Sequence, residues 1–415
     1  MTNGRIIRSD IALKLEVVTP LHIGSGASRV IEKDGETGEL RLVQRGEGGR
    51  PYIPGSTLKG VLRAHYDGPE TAAIFGEIGA YDTDADAARG RMGVLLCRGA
   101  QFHAPGPVDG HSTADAETGI FPHSRTAIDP GRGTALANRL FHMELIAPGT
   151  VFDWTLRLED PGGVDALKEP LLDALSRWGG AHGMQIGADG ASGLGAVRIS
   201  AAPEVTDWVV DPGTGGLKRA QAARAQWTPR EADDDVVELT LECEGPFLTR
   251  DPSHVRGKDL SDEEQEKDPH IKALHLANKP LITGQAVSGA LRHAYAWRRK
   301  LYKDDLPGAD EIFGSVEAKA LLTVQVIDVT AKAEALATSV RIDRFTGGAI
   351  DNALFTVQAD VGVAMRLRLK LDARRAGPEA DRARDEIVEA LKSEGLSLGH
   401  GAGKGFGWFK VGAAA

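Results

Sequence analysis

The chain has 415 residues, 41% of them hydrophobic, with a net charge of −10; that length predicts two domains, and the acidic balance argues against nonspecific coating of nucleic acid. A local basic groove remains compatible with it, because charges act over a Debye length of roughly 8 Å in the cell. Two cysteines, Cys97 and Cys243, are too few for a disulfide framework or a cysteine zinc site and predict a reducing cytoplasm, and no long apolar run predicts a signal peptide or a membrane span.

In chain order, Ile11, Leu13, Leu15 and Val17 alternate with Ala12, Lys14 and Glu16 and predict a half-buried strand. "YIPGSTLKG" (Tyr52–Gly60) then predicts a turn entering a helix, with Leu58, Val61 and Leu62 on one face and Lys59 and Arg63 on the other. A strand follows at Phe152, Trp154, Leu156 and Leu158, and a helix at about Pro170–Trp178. After the Gly-rich stretch "GASGLGAV" (Gly190–Val197), the segment "DPGTGGLKRAQAARAQWTPREADDD" (Asp211–Asp235) lacks a strong apolar period and reads as a linker. The pattern then starts again. Val237, Leu239, Leu241 and Cys243 form a strand, "LITGQAVSG" (Leu281–Gly289) enters a helix with Val287, Ala290, Leu291 and Ala294 on its apolar face, and Val363, Met365, Leu367 and Leu369 form a later strand. A helix at about Ala380–Lys392 precedes "GAGKGFGW" (Gly401–Trp408).

The two halves repeat in detail. Gly55, Gly60, Leu62, Arg63 and Tyr66 recur 229 residues later as Gly284, Gly289, Leu291, Arg292 and Tyr295. "IFG" at Ile74–Gly76 recurs at Ile312–Gly314, and Asp129, Asn138 and Phe141 recur 214 residues later as Asp343, Asn352 and Phe355. The order strand, helix, strands, helix, strand predicts an α+β protein of two tandem ferredoxin-like (RRM-like) domains. We place them at 1–205 and 235–415, with a linker at 206–234.

Several motifs carry chemistry. "GHGAGKGFG" (Gly399–Gly407) looks like a phosphate-binding loop, but Gly399 and Gly403 are only four apart and no helix-length segment follows, so no nucleotide cofactor is expected. The loop can still bring backbone N–H groups to nucleic-acid phosphates, or close a tight glycine hairpin on the sheet. The helix starts near Ser56–Lys59 and Gln285–Ser288 suit anions, with Lys59, Arg63 and Arg292 adding charge. "RHAYAWRRK" (Arg292–Lys300) mixes cations and aromatics as a single-strand binder would, or as a solvated helix face. His22, His65, His275 and His293 share no metal-ligand spacing. No GxSxG elbow and no HExxH motif occurs.

"TPLHIGSG" (Thr19–Gly26), "PYIPGSTLKGVLR" (Pro51–Arg63), "IFG", "RTAIDPGRGTALANRLF" (Arg125–Phe141) and the Gly-rich stretches together resemble the RAMP superfamily of CRISPR-associated proteins, specifically backbone subunits of type III effector complexes, two units fused in one chain. The second unit is the looser match, with "GPFLTRD" (Gly245–Asp251) in place of the TPLHIG-type stretch. The resemblance implies that each unit carries a β-hairpin thumb, at Arg125–Phe141 and Val340–Phe355, crossing a guide–target duplex. It implies RNA contacts from His22, Ser56, Lys59, Arg63, Arg125, Arg139, Ser288, Arg292, Arg341 and Lys404. Its implied partners are CRISPR RNA, single-stranded target RNA and other type III subunits, with no membrane.

Relatives of this kind cut target RNA with an aspartate in the loop before the "PYIPG" block. RNA supplies its own 2′-hydroxyl nucleophile, so a carboxylate need only act as base or hold a divalent ion such as magnesium. The family spacing of sixteen residues before Gly284 falls on Asp268, and the same count before Gly55 falls on Glu39. Other acids crowd both loops: Glu32, Asp34 and Glu36 in the first, Asp251, Asp259 and Asp262 in the second. Three readings therefore stay open: a metal-dependent endoribonuclease acting on guide-bound target RNA, a noncatalytic RNA-binding scaffold, and a guide-processing endoribonuclease using His22 or His65.

Overall fold

The computed structural model describes residues 5–33, 36–77, 90–107, 114–128, 135–231, 236–251, 254, 268–302, 305–315, 317–372 and 374–412. Its first strand, Ile6–Val17, buries Ile11, Leu13, Leu15 and Val17 on one face. On one side it pairs with Val151–Glu159, which buries Phe152, Trp154, Leu156 and Leu158. On the other it pairs with Ala196–Ile199, while Ala100–Ala104 adds to the far edge of Val151–Glu159. The four core strands thus lie side by side as fourth, first, third and second in chain order, all antiparallel. Helices Gly55–Ala64 and Asp165–Ser176 make the two crossovers.

The second half repeats this plan. Trp408–Val411, Val236–Glu244, Ala364–Leu371 and Leu322–Thr330 lie in the same order, joined by helices Gly284–Tyr302 and Pro378–Ser393. The protein is therefore α+β, two ferredoxin-like units in tandem. Each has a separate apolar core. Between its second and third core strands each unit inserts a long hairpin, Ile120–Ile128 with Ala135–Ile146 and Ala333–Ile342 with Ala349–Val361. These are the two expected thumbs; Asp129 lies outside the described residues.

The repeated motifs have packing reasons. Tyr66 meets Phe75 edge-on at 5.4 Å between ring centroids, and Tyr295 meets Phe313 at 6.0 Å, so the "IFG" block clamps the end of each first helix. A methyl group on Gly55 would overlap the carbonyl oxygen of Cys97, and one on Gly284 those of Ser192 and Val324. Only a residue without Cβ lets the helix start sit directly on neighbouring backbone.

The segment 206–234 differs from the linker expected for it. Glu204–Val210 pairs with Ile6–Ala12, and Leu217–Arg224 pairs outside it, extending the first sheet. The cause is a length mismatch: Ala196–Ile199 covers only Leu15–Val17 of a 12-residue strand, which leaves the rest of that edge open. Polar contacts hold the hairpin where apolar periodicity is weak. Ser9 Oγ donates to Asp207 at 2.6 Å, Lys168 pairs with Asp207 at 2.9 Å, and the Trp208 indole donates to Asp10 at 3.0 Å. Among the described residues no helix is long and apolar enough to cross a membrane.

The units meet through the first Gly-rich stretch. A single 3-10 turn, Gly190–Ser192, stands between left-handed Asp189 and Gly193. It sits against the start of helix Gly284–Tyr302 and strand Leu322–Thr330, so close that a side chain on Gly193 would strike the Val324 carbonyl. Leu194 is fully buried in a cluster with Phe121, Met143 and Leu145 of the first unit and Leu274 and Leu281 of the second. Asp189 accepts from Gln285 at 3.1 Å and pairs with Arg125 at 3.1 Å, linking thumb, loop and helix.

Candidate nucleic-acid interface

The face of helix Gly55–Ala64 turned away from the core carries Ser56, Gly60 and Arg63, one and two turns apart. Ser56 and Gly60 are exposed and Arg63 makes no ion pair among the described residues. Lys59, expected on this face, instead reaches back to the Leu95 carbonyl at 3.0 Å. In the second unit Gly289 takes the place of Gly60, and among the described residues no atom outside the helix's own local backbone comes within 4 Å of where a Cβ would stand on either glycine. Glycine in a helix interior costs about 1 kcal/mol relative to alanine, and packing inside this chain asks for it at neither position. Arg292 is occupied: it donates to the Gly314 carbonyl at 2.8 Å and pairs with Asp310. Ser288 is half-buried on the same helix.

Among the described residues the second thumb carries the largest group of exposed apolar side chains. Phe345 at its tip is 100% exposed, and Leu336, Ile342, Leu354 and Phe355 are all more than half or nearly half exposed along its strands. Arg341 and Arg344 flank the tip. Asp343 fixes the turn by accepting from the backbone N–H groups of Phe345 and Thr346, both at 2.8 Å, and these bonds hold its carboxyl below the usual carboxylate range. On the first thumb Arg125 stacks over Phe141 at 5.7 Å while pairing with Asp189; the side chain of Arg139 lies outside the described residues.

Asp268 lies where the segment after the acidic loop runs along strand Ala349–Val361. His254 Nε2 is 3.6 Å from its carboxylate and 2.7 Å from the Pro269 carbonyl. His270 Nδ1 meets Thr356 Oγ1 at 3.0 Å, and its ring packs on Phe355 at 5.5 Å. A carboxylate and one imidazole therefore meet beside the second thumb, and a second imidazole, two residues further on, packs against the middle of its strand Ala349–Val361. Sequence reasoning singled out the carboxylate and missed both histidines, because it is pairing with a strand nearly ninety residues later that gathers them. The two histidines bracket the acidic loop, which is the signal that could have found them. Asp259 and Asp262 lie outside the described residues.

Glu39 is placed differently. It lies on strand Glu36–Val43, paired with Gly24–Lys33 in the small hairpin expected there, exposed and with no ion pair among the described residues. His22 is 4% exposed with Nδ1 2.8 Å from the Glu144 carbonyl, which favours packing over contact with RNA. Within "RHAYAWRRK", Arg298 pairs with Glu386 at 2.6 Å and with Glu394, and Arg299 donates to the Leu306 carbonyl at 2.7 Å. His293, Trp297 and Lys300 stay exposed. At the end of the chain, the turn Ala402–Lys404 stands between left-handed Gly401 and Gly405, with Lys404 exposed and open space round Gly403 and Gly405. It has the geometry of the first loop, and among the described residues no strand or helix start docks on it as one does on the first.

The family model described as the RAMP superfamily matches residues 14–198 and 240–410, one ferredoxin-like unit each. The chain belongs to the RAMP superfamily. RAMP proteins bind CRISPR RNA in multi-subunit complexes, so the chain is a CRISPR-associated RNA-binding protein. The match leaves out the whole of the hairpin Glu204–Arg224. A comparison with the curated proteins gives no match.

Proposed function

We propose that this RAMP protein is a backbone subunit of a type III CRISPR effector complex in the cytoplasm, holding guide RNA paired to single-stranded target RNA and cutting the target at the second thumb. The observation that carries this reading is the position of Asp268, beside His254 and two residues before His270, which packs against the middle of a hairpin with a bare aromatic tip flanked by arginines. A hairpin wedge that splays a nucleotide gives its 2′-hydroxyl freedom to line up with the adjacent phosphorus. Asp268 takes the proton from that hydroxyl, and the 2′-oxygen bonds to phosphorus. The 5′-oxygen leaves with a proton from a protonated imidazole, giving a cyclic phosphate and a free 5′-hydroxyl. Asp268 also has the chemistry to hold magnesium, which accepts one carboxylate together with phosphate and water oxygens.

The first-helix face of Ser56, Gly60 and Arg63, the loop with Lys404, and Arg341 would then lie along the guide. Sequence selection would come from base pairing, and the protein would read backbone and shape. Guide processing has less support, since His22 is buried and His65 turns Nδ1 to the Val61 carbonyl at 2.9 Å. In the assembled complex, Asp268→Asn is expected to slow target cleavage at least 100-fold, in keeping with the 10²–10⁴ of general acid–base catalysis, with RNA binding within about twofold of the parent. Glu39→Gln is expected to leave that cleavage in place. Unchanged cleavage by Asp268→Asn overturns the assignment, and a complex that binds target without cutting it makes the protein a scaffold.

A further inference from the structure

We propose that His275, Glu334 and Asp360 form a binding site for a divalent transition-metal ion of the zinc class at the base of the second thumb. The three residues come from three segments. His275 is on the small hairpin His275–Leu276 with Lys279–Pro280, and Glu334 and Asp360 face each other across the thumb strands. Like charges directly opposite on antiparallel strands repel. Among the described residues no lysine or arginine pairs with either carboxylate; the imidazole of His275 lies between them, Nε2 at 2.8 Å from Asp360 and Nδ1 at 3.7 Å from Glu334. Gln358 donates its amide to the other oxygen of Glu334.

The second, independent observation is Asp360 itself. It is 1% exposed, and its Oδ2 has no hydrogen-bond partner among the described residues. A buried carboxylate oxygen without a donor is costly, and a cation relieves that cost. One nitrogen of His275, one oxygen of Glu334 and one of Asp360 all lie within 4.8 Å of one another. Donors on a tetrahedral zinc at about 2.0–2.1 Å stand roughly 3.3 Å apart. Rotation of the half-exposed Glu334 side chain closes that difference, with water completing the shell. The imidazole selects a zinc-class ion over magnesium or calcium, which take oxygen donors. Such an ion would tie the small hairpin to both thumb strands and hold the hairpin's angle to the sheet.

The test uses the full chain stripped with chelator and then titrated with zinc chloride alone by calorimetry, with magnesium chloride in parallel. One zinc per chain is expected, with a rise of several degrees in Tm and slower hydrogen exchange in Ala333–Ala337, and neither effect from magnesium. Asp360→Asn and Glu334→Gln are each expected to weaken zinc binding at least tenfold. Glu334 is half exposed, so Glu334→Gln tests the site even if the buried Asp360→Asn fails to fold. His103→Ala, which alters the exposed pair of His103 and Asp153, is expected to leave zinc binding unchanged. No zinc uptake, uptake with unchanged affinity in Glu334→Gln, or loss of uptake in His103→Ala overturns the proposal.

Discussion

Gly55 and Gly60 stand five residues apart on one helix, yet opposite outcomes are expected when each becomes alanine. Gly55→Ala would drive a methyl group into the Cys97 carbonyl, so a loss of about 1–3 kcal/mol in denaturant unfolding is expected, the usual cost of overpacking. Gly60→Ala meets open space and is expected to gain up to about 1 kcal/mol from helix propensity, while weakening RNA binding several-fold if the RNA backbone runs over that bare face. An unchanged RNA affinity would remove the helix from the interface. His123 sets a pH dependence. Burial, reinforced by Arg125, pushes it down to about 4. Between its unfolded value near 6.5 and about 4 the unfolded chain binds the extra proton, so stability falls as pH drops through that window, by up to about 3 kcal/mol. Above pH 6.5 this contribution is fully present. Thermal melts at pH 7 and 5 should show His123→Gln losing less stability on acidification than the parent, and equal losses would contradict this. Cys97 and Cys243, both raised to about 11 by burial, should alkylate slowly at neutral pH.

At the level of elements, strands were the most legible part of the sequence. Period-two runs such as Ile11–Val17 and Phe152–Leu158 bury every large apolar residue they offer, because both belong to central strands with one face on the core. The repeated helix starts were legible too, since their glycines answer a contact made twice. The hairpin Glu204–Arg224 was not: Leu217–Arg224 is exposed along its whole length, so its placement follows from an open strand edge, which no local pattern encodes. Basic residues were legible as charge but not as free charge. Lys59, Arg292, Arg298 and Arg299 look alike in sequence to Arg63 and Arg341, and only the fold shows that the first four are turned to carbonyls or carboxylates. The second thumb gives the sharpest test at this scale. Phe345 is wholly exposed, so Phe345→Ala should leave Tm within a degree or so while disturbing the splayed nucleotide and slowing cleavage. A large fall in Tm would show that the tip is structural.

Across the whole molecule the joint is the organising feature. The first Gly-rich loop fills the notch formed by the Gly284 helix start and Val324, and Leu194 is sealed beneath it. Leu194→Ala is expected to cost about 2–5 kcal/mol and to separate the unfolding of the two units, visible as two transitions in calorimetry; a single unshifted transition would argue that the joint adds little. The second loop, Ala402–Lys404, has the same turn geometry with its glycines in open space, which suits it to a neighbouring subunit or to RNA in a larger assembly. The central claim, that the two units together hold a CRISPR guide, has a direct test: coexpress the chain with its neighbouring genes and repeat array, purify the complex and sequence the RNA that comes with it. The account predicts RNA of discrete guide length carrying repeat-derived sequence. A soluble, folded protein that brings no such RNA would contradict it.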